Sequence, residues 1–151
     1  MEIGYAYKTK EGEKVAKAMG RDLDISLKKA VEICSRLRGM KLKDAIKLLE
    51  AVSKLEKSIP FTRYKSGVGH RKGLRGKEKI GKFPQKAALK ILDVLRNLQS
   101  NAEYKGLDAE NLKIVNIQAK KGITRLRRKP KGRWRPWRRQ LVHIEVVAKE
   151  G

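Results

Sequence analysis

The sequence predicts an α+β fold: three helices packed on a small three-stranded sheet, with a long basic β-hairpin running out of it. Three observations carry this. Residues 112–118 and 141–147 are rich in β-branched side chains and read as strands. Between them, residues 119–140 hold Lys120, Lys121, Arg125, Arg127, Arg128, Lys129, Lys131, Arg133, Arg135, Arg138 and Arg139 and no acidic residue. Three earlier stretches repeat apolar residues at the 3.6-residue helical period. Strand, three helices, then two strands is the order of an α+β unit, and 151 residues are most simply one domain. Its globular part is expected at about 13–118 and 141–149, with the hairpin at about 119–140 and a basic Gly-rich insert at about 62–82.

Residues 1–15 read as an exposed lead-in. Over residues 16–25, Met19, Leu23 and Ile25 fall on alternate positions, which suits a short strand, although Gly20, Asp22 and Asp24 are poor strand formers. Ser26 is a good N-cap residue, whose hydroxyl accepts a backbone N–H of the first turn. The helix it opens sets Leu27, Ala30, Val31, Cys34 and Leu37 on one face and ends at Gly39. On that face Cys34 reads as a small buried hydrophobe. A second helix carries Leu42, Ala45, Ile46, Leu49 and Val52, and the short link predicts that the two helices pack side by side.

Residues 62–82 change character. No apolar periodicity survives there, and Arg63, Lys65, Arg71, Lys72, Arg75, Lys77 and Lys79 are interleaved with glycine. Ser66, Gly67, Gly69 and His70 make this a candidate phosphate-contacting loop, since glycine lets backbone come close to a ligand. No strand leads into Gly67-Val68-Gly69 and no helix starts directly after it, so it is not a nucleotide-cradling loop. The competing reading is a solvated linker. Pro84 then suits the first turn of the longest helix, with Ala88, Ile91, Leu92, Leu95, Leu98 and Ala102 as its buried stripe and Gly106 at its C-terminal cap.

In the hairpin, Lys129-Pro130-Lys131-Gly132 fits a type I turn. That turn sets Val115 opposite Val146, Ile117 opposite Ile144, Gln118 opposite His143 and Ala119 opposite Val142, with one face apolar throughout; a bulge would shift this register. About ten residues per arm give a reach of about 30 Å. Trp134 and Trp137 have no core to join. Each either stacks on an unpaired base or packs on the stems of neighbouring arginines.

The net charge of +23 repels itself, and a nucleic-acid partner is the usual reason to tolerate it. Aromatic residues make up only 5%, so the core has to be aliphatic. No apolar run reaches membrane-spanning length. Cys34 is the lone cysteine, which excludes a disulfide framework and a Cys-based zinc site. His70 and His143 are far apart with no paired acid, and no nucleophile or metal-ligand spacing is present, so neither an enzyme nor a cofactor or metal is expected. The acidic residues read as part of solvated helix faces.

Several short motifs, in one order along nearly the whole chain, resemble a known family. They are Ile59-Pro60-Phe61 with Ser66-Gly67-Val68-Gly69-His70, the Phe83-Pro84 helix start, Ser100-Asn101-Ala102-Glu103 with Lys105-Gly106-Leu107-Asp108, and Gly132-Arg133 with His143-Ile144-Glu145. The chain resembles the large-subunit ribosomal protein family that lines the polypeptide exit tunnel, number twenty-two in the universal naming, in its archaeal and eukaryotic form. The missing C-terminal extension common in eukaryotes favours an archaeal source. Leu27 stands where bacterial members usually have Pro, and Trp134 where a small residue is common. The resemblance implies three helices on a three-stranded sheet and a structural role in the ribosome, in the cytoplasm. It implies contact with several domains of 23S rRNA, with neighbouring large-subunit proteins and with the nascent polypeptide, and neither membrane association nor homo-oligomers. By carry-over, Gly132 and Arg133 fall at the hairpin tip and residues 66–70 in the insert. The alternative is a free-standing RNA chaperone or regulator built on the same basic arm.

Overall fold

The structure, a computed structural model, describes residues 4–151. Its strands and helices are β1 (Val15–Leu23), α1 (Leu27–Leu37), α2 (Leu42–Ser53), β2 (Ile59–Pro60), β3 (Gly81–Lys82), α3 (Gln85–Tyr104), β4 (Leu112–Arg128) and β5 (Pro136–Glu150). β1, β5 and β4 form an antiparallel sheet in that order, and β2 pairs with β3 in a separate ribbon. Side chains alternate across a strand. Val142, Ile144, Val146 and Ala148 of β5 therefore share one face with Ala16 and Ala18 of β1 and with Ile114 and Ile117 of β4, and all belong to the buried core.

The three helices cover this face: α1 lies on β4, α3 on β1, and α2 on α3. The stripe of α3 is as expected, with Ala87 and Val94 added. Its end is a Schellman cap: Leu107 N–H donates to Ala102 O (2.9 Å) and Gly106 N–H to Glu103 O (2.9 Å), with Gly106 at φ +69°. Side chains of the last α3 turns also cover the free edge of β1. Asn101 donates to Lys17 O (2.8 Å) and Lys105 to Val15 O (3.1 Å).

Several expectations need correction. In β1 the inward residues are Ala16 and Ala18 rather than Met19. Small residues are required there because α3 comes close: a Cβ on Gly20 would lie 2.7 Å from Val94 Cγ2. Ser26 occupies the N-cap position of α1 but makes no side-chain cap bond. The buried face of α1 is Ala30, Ile33, Cys34 and Leu37, so Ile33 replaces Val31. α1 and α2 do not pack side by side, because the link between them is tied to the outer edge of β4 instead. Gly39 N–H donates to Ile114 O (2.9 Å) and Ile114 N–H to Met40 O (2.9 Å).

The hairpin register also differs. Ile117 faces Val146, Ala119 faces Ile144 and Lys120 faces His143. Bulges interrupt β4 between Ile114 and Asn116 and between Lys121 and Thr124. The first one lets Leu112, Ile114 and Ile117 all face the core although Ile114 and Ile117 are an odd number of residues apart, and it leaves Val115 partly exposed.

The second β4 bulge meets a bulge in β1 between Gly20 and Leu23. His143 of β5 lies between them. Asp22, at φ +48°, donates its N–H to His143 Nδ1 (3.0 Å), and Ile123 N–H reaches Asp22 Oδ1 (3.4 Å). Gly122 is needed at this point, since a Cβ there would sit 2.9 Å from Asp22 Oδ1 and 3.1 Å from the His143 ring. His143 Nδ1 serves here as a structural acceptor that holds the two bulges together.

The far face of the sheet is covered too. Glu145, 1% exposed, receives Ala6 N–H at both carboxylate oxygens (3.2 Å each) and the Lys120 ammonium (2.6 Å). Lys120 also donates to Gly4 O (3.2 Å), and Lys149 pairs with Glu13 (3.4 Å). From Gly4 the lead-in is thus exposed, as expected, but also tied as a strap over β5; its first three residues lie outside the described ones. Burial and the Glu145 charge push the Tyr5 hydroxyl up from its ordinary value.

Candidate nucleic-acid interface

The arm beyond the paired bulges is made of the last residues of β4 and the first of β5. Thr124 faces Gln140, Arg125 faces Arg139, Leu126 faces Arg138, Arg127 faces Trp137 and Arg128 faces Pro136. No third strand or helix covers this ribbon, and its arginines are exposed. Residues 129–135 form the tip. Lys131 and Gly132 both have φ +64°. Two successive positive φ values exclude the expected type I turn centred on Pro130 and Lys131 and match the primed turns, whose twist suits a hairpin. Arg133, Trp134 and Arg135 follow as an irregular stretch, so the strand ends are further apart in sequence than a four-residue turn would leave them.

The two tryptophans divide. Trp134 is 99% exposed. Trp137 is half-covered, and the Arg127 guanidinium lies 5.9 Å from its ring centroid. Packing on an arginine stem therefore describes Trp137, and Trp134 is left open.

Among the described residues, two of the expected site cations already have acidic partners. Lys120 is held by Glu145. Arg139 Nε donates to Asp24 Oδ1 (2.7 Å), its Nη2 bonds Asp24 Oδ2, and Lys86 joins the same carboxylate (2.6 Å). The Arg139 guanidinium first, and then the Lys86 ammonium, hold the Asp24 carboxyl well below the usual carboxylate range. Asp24 thereby ties the root of the arm to the first turn of α3.

The insert between β2 and β3 is more ordered than the irregular loop expected. Phe61 N–H donates to Ile80 O (3.0 Å), Arg71 N–H to Lys79 O (3.0 Å) and Gly81 N–H to Gly69 O (3.2 Å), and His70 bridges Ile80. A short 3-10 turn covers Gly76–Glu78. Gly81 has no alternative, since a Cβ would lie 2.5 Å from Ile59 O. Arg63, Lys65, Ser66, His70, Arg71, Lys72 and Arg75 point outward on this frame, and open space surrounds Gly67 and Gly69. The Arg71 guanidinium lies 5.8 Å from the Phe83 ring.

The residue that sequence reasoning missed is Glu32. It is 2% exposed on α1, where a solvated carboxylate was expected. Its Oε1 accepts the N–H groups of Arg63 (2.8 Å) and Tyr64 (2.7 Å), and its Oε2 the N–H (3.1 Å) and hydroxyl (3.4 Å) of Thr62. The insert is fastened to the body at its first three residues. Glu32 lies beside Ile33 and Cys34 within the core phase of α1, and that was the available signal.

Nothing in this arrangement assembles reactive groups. Burial pushes the Cys34 thiol up to about 12, so it is no nucleophile. Among the described residues no cluster of His, Cys, Asp or Glu is placed to hold a metal ion, and no helix is long and apolar enough to cross a membrane.

Residues 18–149 match the family described as Ribosomal protein L22p/L17e. The chain is 52% identical to the large ribosomal subunit protein uL22 of Archaeoglobus fulgidus over 97% of this chain and 95% of that one. It is 47% identical to the uL22 protein of Methanocaldococcus jannaschii over 91% of this chain and 89% of that one. Against the uL22 protein of Staphylothermus marinus the figure is 43%, over 97% and 96% of the two chains.

Proposed function

Because this chain belongs to the L22p/L17e family of ribosomal proteins, in its archaeal type, and is therefore a structural rather than catalytic component of the large ribosomal subunit, we propose that it binds 23S rRNA through the arm and the insert and that its hairpin tip lines the polypeptide exit tunnel. The observation that carries this reading is the arm itself: a strand pair lined with exposed arginines, continuous with a packed sheet, carrying no acid and ending in a wholly exposed Trp134. Like charges crowded on one ribbon, as those of Arg125, Arg127, Arg128 and Arg138 are, are destabilising alone and become favourable against phosphate. The body would sit on rRNA with neighbouring large-subunit proteins. Arg125, Arg127, Arg128, Arg133 and Arg138, with Arg63, Lys65, Arg71, Lys72 and Arg75 of the insert, would bridge separate rRNA domains. The nascent chain would pass the tip.

The test is the salt dependence of binding to large-subunit rRNA. Each phosphate contact contributes up to about −0.7 to the log–log slope on single strands. Neutralising Arg125, Arg127, Arg128 and Arg133 together is expected to flatten it by about two units. An unchanged slope removes the arm from the interface. Sedimentation of the chain apart from large subunits would favour a free-standing RNA chaperone instead.

A further inference from the structure

A cleft of about 270 Å³ opens where α1, the outer edge of β4 and the start of the insert meet. We propose that it seats one unpaired rRNA nucleotide turned out of its strand, a contact that rests on the rRNA-binding reading above and goes beyond it. Its volume is just under the roughly 300–1,000 Å³ of small-molecule sites, which suits a single nucleotide and not a base pair.

The lining has the chemistry such a ligand needs. Arg38 and Arg63 supply two guanidinium groups for phosphate, Ser35 supplies a hydroxyl donor and acceptor, and Val31 and Ala119 supply apolar wall. Arg38 is already oriented, because its Nη2 donates to Ile117 O (3.2 Å). That bond also shows that Ile117 presents its backbone to the free edge of β4. By the two-residue period of a strand, Ala119 does the same, offering an N–H and a C=O at the spacing that reads a base edge.

Glu32 also borders the cleft, and an unpaired carboxylate there would repel phosphate. Its oxygens are taken by the Thr62, Arg63 and Tyr64 N–H groups, and Arg38 and Arg63 outnumber its single charge in the lining. The same bonds set the Arg63 side of the cleft. Glu32 is thus a positioning residue. The cleft lies where the first residues of the insert meet the outer edge of β4.

The experiment uses the full chain and deproteinised archaeal large-subunit rRNA. Ser35→Phe fills the cleft from an exposed helix position, and Arg38→Gln removes the oriented cation. Each is expected to weaken binding about tenfold at fixed salt, with the melting temperature of Ser35→Phe unchanged. Chemical probing should show one unpaired nucleotide that the wild-type chain protects and both variants leave reactive. Ser35→Ala, which fills nothing and removes the hydroxyl, is expected to show the same lost protection and guards against a folding defect in Ser35→Phe. Wild-type affinity and protection in all three variants would overturn the proposal. So would normal rRNA binding combined with failed incorporation into the subunit, which would assign the cleft to a neighbouring protein. The arm variant is run alongside. If it loses affinity while the cleft variants do not, the cleft assignment alone fails; if it too is unaffected, the rRNA-binding reading fails.

Discussion

Glu32 and Asp24 do unlike work with the same functional group. Glu32 is enclosed, and its partners are backbone N–H groups that have no other acceptor. Replacing it with Ala leaves those donors unpaired, and one buried unsatisfied donor costs about 1–3 kcal/mol. The expected outcome for Glu32→Ala is a lower urea midpoint together with faster amide exchange at Thr62, Arg63 and Tyr64. Asp24 is half-exposed and paired to Arg139 and Lys86, so its effect is screened by solvent and depends on pH. Its folded carboxyl titrates below the ordinary range. Its contribution is therefore complete above the unfolded-state value of about 4 and shrinks as pH falls through that value toward the folded one. The gap in urea midpoint between wild type and Asp24→Asn should be widest near neutral pH and narrow steadily in acid. A constant gap would mean that the ion pair does not form in solution.

At the scale of elements, α3 is the brace of the body. It packs on β1 and α2 and ties off the edge of β1. Leu92, 3% exposed, sits in the middle of its stripe. Leu92→Ala is expected to cost about 2–5 kcal/mol and to lower the melting temperature of the free protein. An unmoved midpoint would place Leu92 outside the core. This helix was fully legible in sequence because Ala88, Ile91, Leu92, Leu95, Leu98 and Ala102 repeat without interruption. The strands were legible as strands but not in their pairing. Register was read from the assumed turn outward, and the longer tip, which pairs Arg128 with Pro136, displaced every cross-strand partner; the extra residues at Val115 and near Gly122 each took one position of that shift back. A bulge leaves no mark in apolar alternation when, as at Val115, the extra residue is itself apolar. The position of α1 relative to α2 was misread for a related reason. A short link limits distance but not direction, and backbone bonds to Ile114 turned the chain along the β4 edge.

For the whole molecule, the sheet divides into a packed part and an uncovered part at the His143 level, where the β1 and β4 bulges meet. Packing and backbone pairing hold the first; beyond the Asp24 tie at its root the second has its own ladder, and a two-stranded ribbon alone is marginal in water. In the free protein, amides of residues 124–137 should exchange quickly while those of residues 142–148 stay protected, and the arm should gain protection in the assembled large subunit. Strong protection of the arm in the free protein would contradict ordering by rRNA. The cations of this arm were legible in the sequence because nothing else explains so many without an acid. What could not be read were the residues that aim them, since Asp22, Asp24 and Glu32 act across distances of 30 to 121 residues along the chain and carry no periodic signal. The strand order adds a consequence for synthesis. β5 lies between β1 and β4 yet is made after both, so β1 waits for the strand that pairs with it, among the described residues, until β4 and the tip have been made. A ribosome paused at Arg135 would carry all three helices and a complete β4 with no central strand to join them. Such a chain should be cut readily by protease until the fifteen residues of β5 have been added, so its folding waits on that strand rather than on length.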